Sequence, residues 1–381
     1  MRRKSVVFIF VFFTLMAQAV KVNVQNAVDF VQPLMGSDSD HGLSTGNTYP
    51  AIAMPWGMNF WVPQTGKMGD GWQYTYAAKK IRGLKQTHQP SPWINDYGQF
   101  SLMPIVGKPV FDEEQRASWF SHKAEKVTPY YYSVYLADYD VTAELCPTER
   151  AALMAFTFPK TDSAHVVIDA FDKGSYIKIL PDQRKVVGFS TRNSGGVPAN
   201  FRNYFVIEFD HDFDAVLSVK DGEYKEAYEQ ECNHVGAIIS FKIGKRGEKV
   251  QARVASSFIS EEQAWLNIQE LGQADMEQLC LQGRTRWNEV LGKIEVEDED
   301  IDHLRTFYSC LYRSVLFPRA FYEKNGAGEI VHYSPYNGKV EKGYMFTDTG
   351  FWDTFRCLFP LLNLMYPSVN EKIQDGLANT Y

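Results

Sequence analysis

The sequence predicts a multi-domain β + α protein in which an N-terminal antiparallel β-sandwich is followed by helices. Short runs of β-branched and aromatic residues, separated by turn residues, fill the chain from about residue 24 to residue 257. Apolar residues recur at helical spacing only after residue 260. With 381 residues, the chain is long enough for two or three domains of roughly 100 to 200 residues each.

Composition, net charge and cysteine spacing argue against some classes of function. Hydrophobic residues make up 45% of the chain and charged residues 22%, which is typical of a globular protein. The formal net charge of -7 argues against nucleic acid as the main partner. The five cysteines show no CxxC or Cys/His ligand spacing, so a metal-thiolate site is not indicated. Cys310 and Cys357 are predicted to be core residues on apolar helical faces.

Residues 1–19 are predicted to be a secretory signal peptide. The basic stretch Met1–Ser5 precedes the apolar run Val6–Met16, and Ala17-Gln18-Ala19 has the small residues of a cleavage site. No later apolar run reaches the length of a transmembrane helix. The mature protein is therefore expected to be exported, either to the periplasm or out of the cell.

Residues 20–259 are assigned to the β-sandwich. Many short strands with turn signals between them favour a sandwich. The predicted strands include a hairpin, Tyr130–Leu136 with Tyr139–Leu145, and Leu153–Phe158, His165–Ala170, Phe205–Phe209, Ala237–Phe241 and Val250–Phe258. The preceding stretch, Pro33–Pro104, is rich in Gly, Pro, Trp and Asn and is predicted to form long ordered loops of the kind that carry binding residues.

Residues 260–294 are assigned to a helical linker and residues 295–381 to a helical domain. Two capping boxes predict where the first two helices begin. One box pairs Ser260 with Gln263, and the other pairs Asp275 with Gln278. A third helix is predicted after the acidic run Glu295–Asp302 and ends before Pro318. Ser368 is predicted to cap a final helix.

The stretch Gly343–Met365 contains residues that suit a sugar. Asp348 is predicted to cap one long helix that begins near Gly350. Its first turns carry Trp352, Asp353 and Arg356. An aromatic face packs against pyranose C–H groups, while a carboxylate and a guanidinium hydrogen-bond to hydroxyls. On spacing alone, an ordinary i,i+3 surface ion pair beside a core tryptophan is the alternative.

Five segments spread along the chain carry motifs in a recognisable order. They are GNTYPAIAMPWGMN at 46–59, IRGLKQTHQPSPWINDYGQFSLMP at 81–104, the stretch from FSHKAEKV to TFP at 120–159, FYSCLYRSVLFPRAF at 307–321 and FWDTFRCLFPLL at 351–362. Together they resemble glycoside hydrolase family 92, the exo-acting α-mannosidases. Each motif alone is weak, but five in the same order make a specific match over nearly the whole chain.

The resemblance implies a β-sandwich packed on an (α/α)6 barrel and a calcium-dependent, inverting hydrolysis of terminal α-mannosides of glycans. An inverting glycosidase needs an acid and a base carboxyl group roughly 6.5 to 9.5 Å apart. In the family both lie in the later half of the helical domain, so no catalytic residue is assigned here and both are expected beyond Tyr381. Twelve helices of roughly 11 to 12 residues need more chain than residues 295–381 supply, so the barrel is expected to be incomplete in this chain.

The resemblance also implies substrate-binding residues. They are Trp352, Asp353 and Arg356 on the helix and His88, Trp93 and Asp96 on a sandwich loop over the cleft. Asp353 would hold sugar hydroxyls in the terminal subsite, and Trp93 would stack on the neighbouring sugar. The loop reads His-Gln-Pro-Ser-Pro-Trp where many family members have a His-x-x-x-Gly-x-Gly-type sequence, which leaves linkage specificity open. A structural role is the alternative for His88, since a lone histidine is often structural.

The calcium ligands are not identified from the sequence. The cluster Asp38-Ser39-Asp40-His41 lacks the later Gly and bidentate Glu of a recognised calcium loop, and a polar turn is predicted instead. A second function stays open beside the mannosidase. The chain would then be a non-catalytic carbohydrate-binding protein that uses the same stacking residues.

Overall fold

Two large antiparallel sheets form the N-terminal part of the protein. The computed structural model describes residues 20–23, 25–42, 46–94 and 96–380, so the predicted signal peptide lies outside it. Within these residues one sheet has nine strands, in the spatial order Glu229–Cys232, Ser175–Leu180, Lys185–Ser190, Asn203–Phe209, Glu248–Ser257, Ala151–Phe158, Val141–Pro147, Tyr131–Leu136 and Glu125–Thr128. The other has seven, in the order Glu223–Lys225, Ala215–Lys220, Val235–Ile243, Thr161–Asp169, Phe100–Val106, Gly83–Thr87 and Phe60–Gln64.

The main core lies between these sheets. Phe100 of the seven-stranded sheet stacks on Phe205 of the nine-stranded sheet with ring centroids 4.5 Å apart. Both rings are fully buried, and each contributes about 1.5 to 3 kcal/mol through burial. Strand Val141–Pro147 shows the alternation behind this packing, since Val141, Ala143 and Leu145 are buried while the residues between them are partly exposed. The predicted sandwich is confirmed.

The prediction of long loops over Pro33–Pro104 is wrong in part. Three strands of the seven-stranded sheet lie within it: Phe60–Gln64, Gly83–Thr87 and Phe100–Val106. All residues of Gly83–Thr87 are buried, although Lys85, Gln86 and Thr87 are polar. The strand therefore lacks the alternation of apolar and polar residues from which a half-buried strand is predicted.

The helices follow the sandwich. In the described part of the chain they are α1 Glu261–Asn267, α2 Met276–Leu291, α3 Ile301–Ser314, α4 Phe351–Thr354, α5 Leu358–Met365 and α6 Pro367–Asn379. Short 3-10 helices span Ala27–Phe30, His122–Ala124, Pro181–Gln183 and Ile268–Leu271. Small sheets pair Val20–Val22 with Val296–Asp298, Lys80–Ile81 with Ser118–Trp119, Arg319–Ala320 with Phe346–Thr347, and Ile330–Tyr333 with both Glu323–Lys324 and Val340–Lys342. Among these residues no helix is both long and apolar enough to cross a membrane.

The predicted N-cap residues of the linker helices are confirmed, but only the second pair forms a full capping box. The Ser260 side chain accepts a hydrogen bond from the Gln263 amide, and Asp275 and Gln278 form a reciprocal capping box. The cap predicted for the last helix is wrong. No side chain caps α6, which begins at Pro367, and proline suits this first position because its missing N–H would have no partner there.

A second core joins α2 and α3 to the N-terminal loops. Trp287 of α2 packs on Tyr312 of α3 at 5.2 Å between ring centroids, and both are fully buried. Cys310 is exposed, contrary to prediction, because it lies roughly 200° around the helix from buried Tyr308. Cys357 is also exposed, since it lies between α4 and α5 rather than on an apolar helical face.

Candidate functional site

A buried arginine links the sandwich to the start of α4. Arg319 is fully buried on a strand that pairs with Phe346–Thr347, which brings Asp348 beside its guanidinium. Arg319 Nη2 donates to Asp348 Oδ2 and to the Tyr97 hydroxyl. The Tyr97 hydroxyl donates to the same Asp348 oxygen at 2.9 Å. A buried charge is tolerated only when it is paired and hydrogen-bonded, and this network supplies both.

Backbone oxygens complete the shell of Arg319. Nη1 donates to the Met58 carbonyl at 2.5 Å, and Nη2 reaches the His88 carbonyl at 3.3 Å. Burial alone lowers the pKa of Arg319, but the adjacent Tyr97 and Asp348 oxygens raise it, and the net shift is upward. The arginine is therefore a permanent cation that ties three separate segments together.

His88 lies inside the protein rather than on its surface. Its ring is fully buried and stacks on Tyr97 with centroids 5.1 Å apart. Nδ1 is 2.6 Å from the Tyr97 carbonyl oxygen, and Nε2 is 3.0 Å from Asn59 Oδ1. Burial, helped by Arg319, lowers the pKa of His88 to about 3, so the ring is neutral and can donate to only one of its two acceptors. The closer carbonyl favours the proton on Nδ1.

Asp96 is also buried and already bonded. Lys85 Nζ is 2.9 Å from Asp96 Oδ2, and both side chains are about 5% exposed. Asp96 also accepts bonds from the His88 and Tyr97 amides at 2.8 Å. Burial raises the pKa of Asp96, but Lys85 and these bonds outweigh it and the net shift is downward. In this structure Asp96 holds the loop in shape and has no free oxygen edge directed at solvent.

The predicted residues on α4 and in the turn after it are presented to solvent. Trp352 is 72% exposed, and the Arg356 guanidinium lies 5.1 Å from its ring centroid. The exposed Asp353 carboxylate makes no ion pair or hydrogen bond with any described residue. The i,i+3 ion pair considered as an alternative is therefore not formed, because Arg356 stacks on Trp352 and Phe355 instead.

The helix that carries these residues differs from the predicted one. A single helix from Gly350 is replaced by α4 and α5, and Gly350 precedes α4 without a side-chain cap. Pro360 explains the break, because its ring would clash with the carbonyl of Arg356 in a continuous helix. Asp348 does not cap the helix, since its carboxylate binds Arg319 and Tyr97.

The predicted site residues lie in three places. His88 and Asp96 lie together and connect through Tyr97, Arg319 and Asp348 to the start of α4. Trp93 stands at the loop tip and is 61% exposed. In the described residues no hydrogen bond, ion pair or ring contact joins Trp93 to the α4 residues. Direct sugar binding by these six side chains stays a prediction.

Arg319, Tyr97 and Lys85 are not predicted as site residues from the sequence. A signal was available for Arg319, because it is the one charged residue in the otherwise apolar run Phe317–Phe321 and such a residue is rarely buried without a partner. Glu323, just after this run, is buried as well. It accepts bonds from the Phe258 amide and Asn267 Nδ2, at 3.0 and 2.6 Å. Its role is therefore structural.

Calcium ligands are not found by geometry. Within the described ranges, no group of three or more His, Cys, Asp or Glu side chains is arranged to hold a metal ion. In the cluster Asp38–His41, the Ser39 hydroxyl accepts from the His41 amide at 2.9 Å and Asp40 accepts from the Gly42 amide at 2.8 Å, as in a polar turn. Calcium stays a prediction.

Comparison with known proteins identifies relatives of about twice this length. A Family GH92 inverting mannosidase from Bacteroides thetaiotaomicron VPI-5482 is 46% identical, with a TM-score of 0.89 over 93% of this chain and 48% of that chain. A family GH92 alpha-mannosidase from Bacteroides thetaiotaomicron is 26% identical, with a TM-score of 0.82 over 93% of this chain and 50% of that chain. An uncharacterized secreted glycosidase of Arthroderma benhamiae is 23% identical over 78% of this chain and 42% of its own length.

Two family models match the chain in sequence. The glycosyl hydrolase family 92 N-terminal domain matches residues 30–257, and the catalytic domain of the same family matches residues 263–381. The first match alone spans more than half of the chain, and both agree with the sandwich and the helices that follow it. The chain therefore belongs to glycosyl hydrolase family 92.

Proposed function

We propose that this chain provides the sandwich and part of the sugar-binding cleft of an exported, calcium-dependent, inverting α-mannosidase that hydrolyses terminal α-mannosides of glycans. The observation that carries the proposal is the exposed group at α4: Trp352, on which Arg356 of the following turn stacks, beside the unpaired Asp353. The 46% identity to an inverting mannosidase supports the substrate class and the stereochemistry.

The chemistry of this group suits a mannoside. A large exposed indole is costly in water, and a pyranose ring would cover it with C–H groups. Asp353 accepts hydrogen bonds through two oxygens and fits two neighbouring hydroxyls. Arg356 is held by stacking, so its remaining N–H groups are available to donate to a further oxygen.

The buried network positions this group against the sandwich. Asp348 lies two residues before Gly350, and both have positive φ angles, of 59° and 46°. A non-glycine residue tolerates this conformation only where its surroundings fix it, and Arg319 and Tyr97 hold the Asp348 carboxylate. We infer that the network sets the direction in which α4 presents Trp352 and Asp353 to the cleft.

Hydrolysis itself is assigned to groups outside these residues. Inversion needs one carboxylic acid to protonate the leaving oxygen and one carboxylate to activate water. Of the carboxylates discussed, Asp348, Asp96 and Glu323 are already bonded within the fold, and Asp353 is assigned to hold substrate. The acid and base are proposed to follow Tyr381 in the intact enzyme, and no residue of this chain is assigned to calcium.

Binding tests the proposal directly. The probe is mannoimidazole, because a family GH92 alpha-mannosidase has a solved structure in complex with this ligand. Calorimetry with the monomeric fraction of the purified chain, isolated by size-exclusion chromatography, should show binding at millimolar ligand or below, and Trp352→Ala should weaken it about tenfold. The control is Trp119→Ala, which removes another half-exposed indole on the sandwich. Absence of heat with the wild-type chain at millimolar ligand contradicts the proposal.

Two further observations separate the mannosidase from a non-catalytic sugar-binding protein. The DNA that follows codon 381 should encode more amphipathic helices with the acid and base, in the same or a shifted frame. Unrelated sequence there, together with binding of mannoimidazole, favours the binding protein. Release of mannose by the 381-residue chain alone contradicts the placement of the acid and base.

A further inference from the structure

A cavity at the edge of the seven-stranded sheet is separate from the site described above. Its volume is about 660 Å3, within the usual range for small-molecule sites. Strand ends and the loop after Phe100–Val106 form its walls. The residues that matter are Lys108, Phe111, Glu113, Asp169, Tyr224 and His234. None of them belongs to the group on α4 or to the network around Arg319.

An oriented histidine forms one wall. Asp169 is buried, and its Oδ2 accepts from Arg116 Nη2 at 2.8 Å. Asp169 Oδ1 lies 2.8 Å from His234 Nε2. Burial raises the pKa of Asp169, but Arg116 and His234 outweigh it, so the net shift is downward and the carboxylate accepts the Nε2 proton. His234 Nδ1 has no hydrogen bond to any described residue and is available to hydrogen-bond with a ligand hydroxyl.

The Tyr224 side chain forms an aromatic wall in contact with the loop that carries Phe111. The Tyr224 hydroxyl accepts from the Phe111 amide at 2.9 Å, which leaves its own proton to donate, and the side chain is 46% exposed. Gly236 makes room for Phe111, because a Cβ there would lie 1.9 Å from the phenylalanine ring. The Phe111 ring therefore packs directly on the sheet and fixes the loop, and the cavity lies beside this fixed loop.

The rim favours a neutral ligand. Glu113 accepts from the Met68 amide through both oxygens at 3.0 Å, and burial raises the pKa of its carboxyl group. Lys108 contributes a positive charge to the same rim, and Arg116 neutralises Asp169. Since charges of both signs surround the cavity, neither a phosphate nor a polycation is matched. Donors and acceptors beside aromatic surface are the groups that recognise several hydroxyls on an apolar ring.

We propose that this cavity binds a neutral sugar of one or two rings, at a non-catalytic site of the sandwich. One ligand hydroxyl would hydrogen-bond with His234 Nδ1, and another would accept a hydrogen bond from the Tyr224 hydroxyl. The sugar ring would pack against the aromatic wall. This site does not depend on the proposed hydrolysis, since it shares no residue with the α4 group.

Saturation-transfer NMR on the full chain tests the proposal with methyl α-mannoside, mannobiose, cellobiose and lactose. At least one sugar should bind in the presence of Asp353→Asn. Tyr224→Ala and His234→Gln should each weaken that binding about five- to tenfold, since each removes one stacking or hydrogen-bonding partner. His234→Gln keeps a donor for Asp169, so it is expected to fold.

A matched control lies on the same edge of the sandwich. Tyr228→Ala removes a tyrosine that is 59% exposed and does not line the cavity, and it should leave binding unchanged. Sugar signals that vanish with Asp353→Asn but survive Tyr224→Ala and His234→Gln would support the α4 site alone and overturn this proposal. Absence of any sugar signal also overturns it.

Discussion

Asp353 is an exposed carboxylate on α4 that forms no ion pair with Arg356. Asp353→Asn should weaken mannoimidazole binding by about 1 to 3 kcal/mol, the range for a lost charge-assisted hydrogen bond. Tm should hardly change, since no described residue loses a partner. Asp375→Asn on α6, another exposed aspartate, is the control. Equal affinity of wild type and Asp353→Asn would remove Asp353 from the sugar site.

His88 predicts a pH dependence of stability. Its folded pKa of about 3 lies below the unfolded value of 6.5, so the unfolded state binds the proton first as pH falls. The stabilisation is complete above pH 6.5 and is lost progressively toward pH 3. Within this window the unfolding free energy of wild type should fall by about 1.4 kcal/mol per pH unit more than that of His88→Gln.

Urea unfolding at pH 7 and at pH 5 measures this difference. Equal pH slopes for wild type and His88→Gln would mean that the folded ring takes up a proton as readily as the unfolded one. When the folded ring is protonated, the Tyr97 carbonyl and Asn59 Oδ1 both accept a hydrogen bond from it. The experiment therefore reports whether burial or the two hydrogen-bond acceptors decide the protonation state of the His88 ring.

At the scale of elements, the Arg319 network joins a strand, a loop and a helix start. Arg319→Met should lower the unfolding free energy by about 3 to 5 kcal/mol, because the Asp348 carboxylate, whose side chain is only 12% exposed, is left without its cation. Combined with Asp348→Asn, the loss should be smaller than the sum of the two single effects by at least about 1 kcal/mol. Asparagine is chosen because it tolerates the positive φ of this residue.

The exposed pair Arg286 and Glu289 on α2 is the control for that cycle. Its side chains are 47% and 57% exposed, so its coupling should be at most about 1 kcal/mol. Thermal or urea unfolding of the four variants in each cycle measures both couplings. Additive effects at Arg319 and Asp348 would show that the pair does not hold α4 in place.

Elements also differ in how well the sequence predicts them. Alternating strands such as Val141–Pro147 and capped helices such as α1 and α2 carry local signals, and these are confirmed. Gly83–Thr87 carries no such signal, because its buried polar residues are matched by partners elsewhere, such as Asn203 for Gln86. The continuous helix predicted from Gly350 fails because the effect of Pro360 outweighs the apolar periodicity.

The candidate site shows the same difference between residues with a local sequence signal and residues without one. Trp352, Asp353 and Arg356 are close in sequence, so their clustering follows from helical spacing alone. His88 and Asp96 are different, because their burial depends on Arg319, more than 200 residues away, and on a lysine in a strand without a pattern. Sequence spacing does not contain such pairings, and only the folded chain shows that these two side chains face inward.

At the scale of the whole molecule, an apolar surface remains on the last helices. Phe351, Phe355 and Leu364 are 54%, 43% and 77% exposed, and they lie on neighbouring elements with Trp352. Large exposed apolar patches promote association. The chain expressed as printed should therefore aggregate, and Phe355→Gln with Leu364→Glu should raise its monomeric fraction in size-exclusion chromatography.

Leu281→Glu is the matched control for charge alone. Leu281 is 63% exposed on α2, away from the last helices, so this change should improve the monomeric fraction much less. A monodisperse wild-type chain would contradict the prediction, and so would an equal gain from Leu281→Glu.

The N-terminal loops are held by side chains that lie more than 200 residues later in the chain. The Trp287 indole donates to the Ala53 carbonyl at 2.9 Å, and the Arg313 guanidinium donates to the Pro33 and Met35 carbonyls at the same distance. During translation the loops therefore emerge more than 200 residues before their partners. Until then, the carbonyl groups that these partners bind in the folded protein are exposed to water. Pairings of such long sequence separation form slowly. The first stretch of the sandwich to leave the ribosome is thus among the last to reach its native structure, and it depends on being kept unaggregated until α2 and α3 follow.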